Sequence, residues 1–186
     1  LDDLRSRQYP LLDSTGHTYL DYTAANLVPL ELLNRHIQLL RQHLLGNPHS
    51  GNPASALTTT FAEQTRLSIL EFFNADPGEY AVVFTANATE ALKLVGEAYP
   101  FDSSGEYLLT FDNHNSVNGI REFARTKGCP TTYVPVVLPD MRVDESELTA
   151  HLDRPHHGGP RLFAYPAQSN FSGVQHPLDW IQRARE

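Results

Sequence analysis

Ala81-Val82-Val83-Phe84-Thr85-Ala86-Asn87-Ala88-Thr89-Glu90-Ala91-Leu92-Lys93-Leu94 changes its pattern halfway along. The first five residues form a short apolar run that reads as a strand. From Thr89 the apolar positions follow helical spacing, which predicts a helix over 89–98. The small polar residues between them mark the turn from strand to helix. The same alternation repeats downstream, with strands predicted at 107–110, 132–137 and 161–165 and helices at 117–127, 145–152 and 178–185. Pro135 lies inside the 132–137 run, which places that strand near an edge or makes it irregular. Strands and helices alternating at this length predict βαβ units: an α/β fold with a mainly parallel sheet and flanking helices.

Upstream the text is less regular. Residues 1–56 read as an irregular segment with a short extended piece, Tyr19-Leu20-Asp21-Tyr22, and a helix over 29–45 whose apolar positions are Leu32, Leu33, Ile37, Leu40 and Leu44. Residues 46–53 are dense in turn formers and read as a loop. A helix over 54–73 follows, stopped by Asn74 and Asp76-Pro77-Gly78. His156-His157-Gly158-Gly159-Pro160 reads as a flexible surface loop. The chain therefore divides into an N-terminal segment, 1–56, and the first part of a larger α/β domain, 57–186.

Composition narrows the function classes. The chain has 186 residues and a formal charge of −8, from 14 basic and 22 acidic residues. Nucleic-acid binding needs clustered Lys and Arg, so this balance argues against it. A local nest of backbone amides can still take a phosphate in an acidic protein. One cysteine, Cys129, rules out an internal disulfide and fits a reducing, cytoplasmic setting. No apolar run is long enough to span a bilayer. The N-terminus lacks the pattern of a signal peptide and, without Met, reads as trimmed.

Ligands in open α/β sheets bind beyond the carboxyl ends of the strands. Three polar groups fall there: Ala86-Asn87-Ala88-Thr89-Glu90, Asp112-Asn113-His114-Asn115-Ser116 and Ala167-Gln168-Ser169-Asn170. At the first, free N–H groups at a helix start suit a phosphate, but taken alone these residues read more simply as an ordinary cap by Thr or Asn. Dinucleotide and ATP fingerprints are missing, as are H-E-x-x-H and C-x-x-C metal spacings, so no metal is expected. Cys129 reads as an inert thiol at a strand entrance, because only Lys127 is cationic nearby.

Taken together and in order, these loops resemble the class V aminotransferase and cysteine desulfurase family of pyridoxal 5'-phosphate (PLP) enzymes. Phe84-Thr85-Ala86-Asn87-Ala88-Thr89-Glu90-Ala91 resembles the family's phosphate loop. Asp112-Asn113-His114-Asn115-Ser116 resembles the loop whose histidine stacks on the cofactor ring. Tyr165-Pro166-Ala167-Gln168-Ser169-Asn170-Phe171-Ser172-Gly173 resembles the segment whose asparagine contacts cofactor and substrate. Tyr19-Leu20-Asp21-Tyr22-Thr23-Ala24-Ala25 and residues 46–53 resemble N-terminal motifs near the substrate. The Pro-Ala-Gln-Ser-Asn-Phe-Ser-Gly and Gly-Asn-Pro-His-Ser wording is most similar to the molybdenum cofactor sulfurases within that family.

The resemblance implies the large domain of a fold type I PLP-dependent transferase, here incomplete. It implies that Ala88 and Thr89 hold the phosphate, His114 stacks on the ring, and Asn170 orients cofactor and substrate. One departure is Asn87, which replaces the usual glycine of the phosphate loop; asparagine tolerates left-handed backbone, so the loop is expected to survive. No catalytic residue is assigned within the chain. Its two lysines, Lys93 and Lys127, read as solvated helix residues, and the family's Schiff-base lysine and ring-pairing aspartate are expected beyond Glu186. The chain is thus read as the front half of an enzyme that moves sulfur from L-cysteine, a homodimer when whole, and inactive and aggregation-prone as this piece alone. Alternatives are another class V reaction on an amino acid and a non-catalytic PLP-fold binding module. A nucleotide-binding α/β protein has little support.

Overall fold

The computed structural model describes residues 1–155 and 158–186. The described chain forms two compact units, Leu1–Phe84 and Thr85–Glu186. His156 and His157, part of the expected surface loop, lie outside the described residues.

In the first unit, two short helices that the sequence reading treated as irregular open the chain: α1 (Asp2–Gln8) and α2 (Pro10–Thr15). Arg5 Nε donates to Asp13 Oδ1 at 2.7 Å and ties the two together. The expected extended piece at 19–22 is not a strand. The Asp21 carbonyl accepts from the Ala24 and Ala25 N–H groups, both at 3.1 Å, and closes a turn instead. Helix α3 (Leu30–Gln42) forms where expected, yet Leu32, Leu33 and Leu40 on its apolar stripe stand exposed. Helix α4 (Pro53–Phe72) is capped by the Asn52 side chain, which accepts from Ser55 N at 3.0 Å. Residues 81–85, read as a strand, join no ladder, and Val83 and Phe84 are exposed. An apolar, β-rich run becomes a strand only when a neighbour takes its hydrogen bonds, and no neighbour does so among the described residues.

The second unit carries the sheet. Helix α5 (Ala88–Ala98) leads to β1 (Glu106–Thr110), then to α6 (Asn115–Asn118) and α7 (Ile120–Thr126). The expected single helix over 117–127 starts earlier than predicted, because His114 caps it, and is broken at Gly119. Next come β2 (Thr131–Val134), β3 (Val136–Val137) and β4 (Arg142–Val143). The predicted 132–137 strand is thus split at Pro135, which cannot donate to a ladder. Its second half pairs antiparallel with β4 in a separate two-stranded sheet. Helix α8 (Glu145–Leu152), β5 (Arg161–Ala164) and α9 (Trp180–Arg185) complete the unit.

The main sheet has the order β2-β1-β5, and both pairings are parallel. Strand β1 is central and covered on both faces. Tyr107 and Leu109 pack with Ile120, Ala124 and Phe101, while Leu108 packs with Val134, Leu148 and Trp180. Burial on both faces explains why this strand reads as an unbroken apolar run rather than an alternating one. Helix α5 lies close to α7: a Cβ on Gly96 would stand 2.6 Å from the Phe123 ring. Cys129 is buried against the first cluster. Burial raises the pKa of its thiol, and likewise those of the Tyr107 and Tyr99 phenols.

Two outcomes follow from this core. Leu109→Ala in the full-length protein should cost about 2–5 kcal/mol in urea unfolding, the usual range for a buried leucine. Cys129 should resist a water-soluble thiol reagent at pH 8 until denaturant is added. Because these buried acids hold their protons more tightly folded than unfolded, stability should fall as pH rises from the ordinary thiol range upward; an unchanged unfolding midpoint through that range contradicts the assignment.

Candidate active site

From β1 the chain passes to β2 on one side of it and later to β5 on the other. The carboxyl ends of β1 and β5 therefore flank a point where the winding reverses, the usual place for a ligand crevice in an open α/β sheet. Asn113 spans that point. Its side-chain amide, buried, donates to the carbonyls of Thr110 at 2.9 Å and Ala164 at 3.0 Å, the last residues of the two strands.

A second link lies beneath it. Asp112 Oδ2 and His176 Nε2 are 2.7 Å apart, with both side chains 2% exposed. His176 stacks on Trp180 at 5.3 Å between ring centroids. This pair joins the loop after β1, which carries His114, to the loop after β5, which carries Asn170. The latter loop closes on itself through Ser169 N to Val174 O and Gly173 N to Ser169 O, both 2.9 Å, and Gly173 takes the left-handed conformation (φ 76°) that the turn needs. Asn170 is exposed on this turn.

The start of α5 is the third component. Asn87 is its N-cap, with the side chain accepting from Glu90 N at 3.0 Å. Its backbone is extended, φ −168° and ψ 176°, so the asparagine that stands where the family has glycine needs no left-handed tolerance. It fits without strain and contributes a cap. Because the cap takes Glu90, the first-turn N–H groups of Ala88 and Thr89 have no intrahelical acceptor and sit at the positive end of the helix dipole. Both residues are exposed. The cap and two free N–H groups share one helix start.

Thr89 Oγ1 lies 2.7 Å from Ser116 Oγ, which lies 2.9 Å from His114 Nδ1. The Ser116 N–H also donates to His114 Nδ1 at 3.2 Å. Thr89 and His114, predicted from separate motifs, are thus joined through one hydroxyl. Asn170 shares their loop scaffold through the Asp112–His176 pair rather than through a bond of its own side chain. Sequence reasoning missed Ser116, Asn113 and the Asp112–His176 pair. The sequence places Asp112, Asn113 and Ser116 in one polar group after a strand but gives them no separate role. Asp112 and His176 are 64 positions apart.

The two lysines take no part. Lys127 Nζ donates to Tyr99 O at 2.8 Å, at the C-terminal end of α5 and away from Thr89, where a cation complements the helix dipole. Lys93 Nζ lies 3.8 Å from Glu97 on the same helix. Among the described residues no group of three or more His, Cys, Asp or Glu is placed to hold a metal ion, and no helix is long and apolar enough to cross a membrane.

His176→Leu would strand the Asp112 carboxylate, whose Oδ1 already has no protein partner, in a buried site. The expected loss is about 3–5 kcal/mol in equilibrium unfolding of the full-length protein. A loss below about 1 kcal/mol would show that the pair is not what holds the two loops together.

Comparison with known proteins identifies the family. Residues 18–186 match the family Aminotransferase class-V. The chain is 39% identical over 187 residues to the molybdenum cofactor sulfurase of Bos taurus, covering 97% of this chain and 21% of that protein. The chain therefore spans about a fifth of the length of this curated relative. Among solved structures, the apo cysteine desulfurase of Thermococcus onnurineus superposes with a TM-score of 0.79 at 25% identity, covering 99% of this chain and 44% of that one. A variant of C-DES with glycine covalently linked to its PLP cofactor superposes with a TM-score of 0.73 at 22% identity, covering 96% of this chain and 45% of that one. A match over 169 of 186 residues shows that this chain belongs to the class V aminotransferase family.

Proposed function

We propose that the full-length protein is a PLP-dependent enzyme of the molybdenum cofactor sulfurase type, and that this chain supplies the cofactor's phosphate grip, ring stack and substrate-orienting amide. The observation that carries the reading is the convergence of α5's uncapped N–H groups, the His114 ring and the Asn170 turn at the β1/β5 mouth. The donor set fits PLP. Two free N–H groups and a hydroxyl suit a phosphate dianion. An exposed imidazole suits the face of a pyridine ring, and an amide suits both a phenolic oxygen and a carboxylate.

When bound, PLP supplies an electron sink for negative charge at the substrate's α-carbon. The chain's own contribution is positioning. Ala88 and Thr89 fix the phosphate end, His114 fixes the ring plane, and Asn170 aligns an amino-acid substrate so that its reacting bond faces that plane. Neither Lys93 nor Lys127 is placed to deliver or remove a proton at that point, so the amine that does so comes from elsewhere in the full-length protein.

Similarity to sulfurases points to L-cysteine as the sulfur donor, with alanine as the other product. A reducing cytoplasmic setting fits the one buried cysteine, and a homodimeric state is carried over from the family resemblance.

The test is incubation of the PLP-loaded full-length protein with L-cysteine, following alanine and protein-bound persulfide. Stoichiometric alanine and persulfide are expected. Asn170→Ala should lower the rate about 10–100-fold through lost alignment, and Thr89→Ala should weaken PLP binding about 10-fold, the scale of one hydrogen bond to a charged group. Conversion of cysteine without alanine would assign the protein a different class V reaction.

A further inference from the structure

Ser116 sits between two groups that the proposed function uses separately. Its hydroxyl lies 2.7 Å from Thr89 Oγ1 and 2.9 Å from His114 Nδ1, and its backbone N–H donates to the same Nδ1 at 3.2 Å. A backbone N–H has no alternative role, so Nδ1 presents a lone pair and the neutral imidazole carries its proton on Nε2. The ring is fixed in tautomer and plane by one residue using two of its groups.

A serine hydroxyl has a single proton. While Thr89 is unengaged, Ser116 can donate to His114 and accept from Thr89. A phosphate at the start of α5 accepts the hydrogen bond of the Thr89 hydroxyl, because the dianion is much the stronger acceptor. Thr89 Oγ1 is then left as an acceptor, and Ser116 turns its proton to it. His114 keeps the backbone N–H and gives up the hydroxyl. The imidazole is thereby released from one of its two tethers when the phosphate arrives.

We propose that Ser116 is a positioning residue that couples the phosphate grip of Thr89 to the setting of the His114 ring. This rests on the PLP reading above. Ser116 does not touch the cofactor in this account; it acts through its two neighbours. The local fold favours the role, because His114 itself caps the short α6 through the Ser116 N–H, so the ring stays beside Ser116 while the hydroxyl changes partner.

The experiment is a PLP titration of the full-length protein, with affinity read from fluorescence quenching and ring setting from the visible circular dichroism of bound PLP. The variants are wild type, Ser116→Ala, Ser116→Thr, Thr89→Ala and the Thr89→Ala/Ser116→Ala pair. Ser116→Ala is expected to weaken PLP about 5-fold, the scale of one neutral hydrogen bond, and to change the visible dichroic band. Ser116→Thr, which keeps the hydroxyl, is expected to restore both to within about twofold. In the Thr89→Ala background the Ser116 change should cost less than about twofold, since coupled sites are non-additive. Ser116→Ala with wild-type affinity and dichroism, alongside a weakened Thr89→Ala, overturns the coupling and leaves the PLP reading standing. So does an equal Ser116 effect in both backgrounds. A wild-type protein that binds no PLP overturns the reading itself and the coupling with it.

Discussion

Strand β1 is enclosed on every side. It hydrogen-bonds to a parallel strand along each edge, and its side chains are buried in clusters above and below the sheet. A strand held in this way has no freedom to slip, since a shift of one residue would exchange its two packed faces. The point at which the chain leaves β1 is therefore fixed, and so is the place where Asp112, Asn113 and His114 emerge. The rest of the candidate site is attached to that exit. Asn113 ties it to the end of β5, Asp112 to His176 in the next loop, and Ser116 to the start of α5.

The interior of this scaffold is polar exactly where loops must be held together. Asn113 donates from one side-chain amide to the last carbonyl of each of two neighbouring strands. Asp112 and His176 bury charge-bearing groups that tolerate removal from water only as a pair. This arrangement leaves the exposed groups above it, His114, Thr89 and Asn170, free of structural duty except through Ser116. It also leaves an acidic chain able to meet an anionic ligand, because backbone N–H groups and a helix dipole do not appear in the net charge.

Much of this was legible in the residues, because most of it is local. The α8 bounds at Glu145–Leu152 and the start of α5 follow from caps and apolar spacing within a few positions. What failed depended on partners. Residues 81–85 have the composition of a strand, but pairing makes a strand, and no ladder forms there among the described residues. The 132–137 run was one apolar stretch on the page, whereas Pro135 divides it between two sheets. The stripe on α3 predicted the helix correctly and its burial incorrectly, since periodicity reports the helix and not what covers it. For the site, the family resemblance picked out Ala88, Thr89, His114 and Asn170, while the residues that hold them in place are brought together only by the fold. Asn87 is the instructive case: it departs from the family's glycine, yet its extended backbone and its cap to Glu90 make the change harmless.

The most direct test of the central claim is a crystal structure of the full-length protein grown with PLP. The account predicts phosphate density within hydrogen-bonding distance of the Ala88 and Thr89 N–H groups and the Thr89 hydroxyl, with the pyridine ring against His114 and Asn170 at its edge. Phosphate bound away from the start of α5, or a ring that does not meet His114, would contradict it.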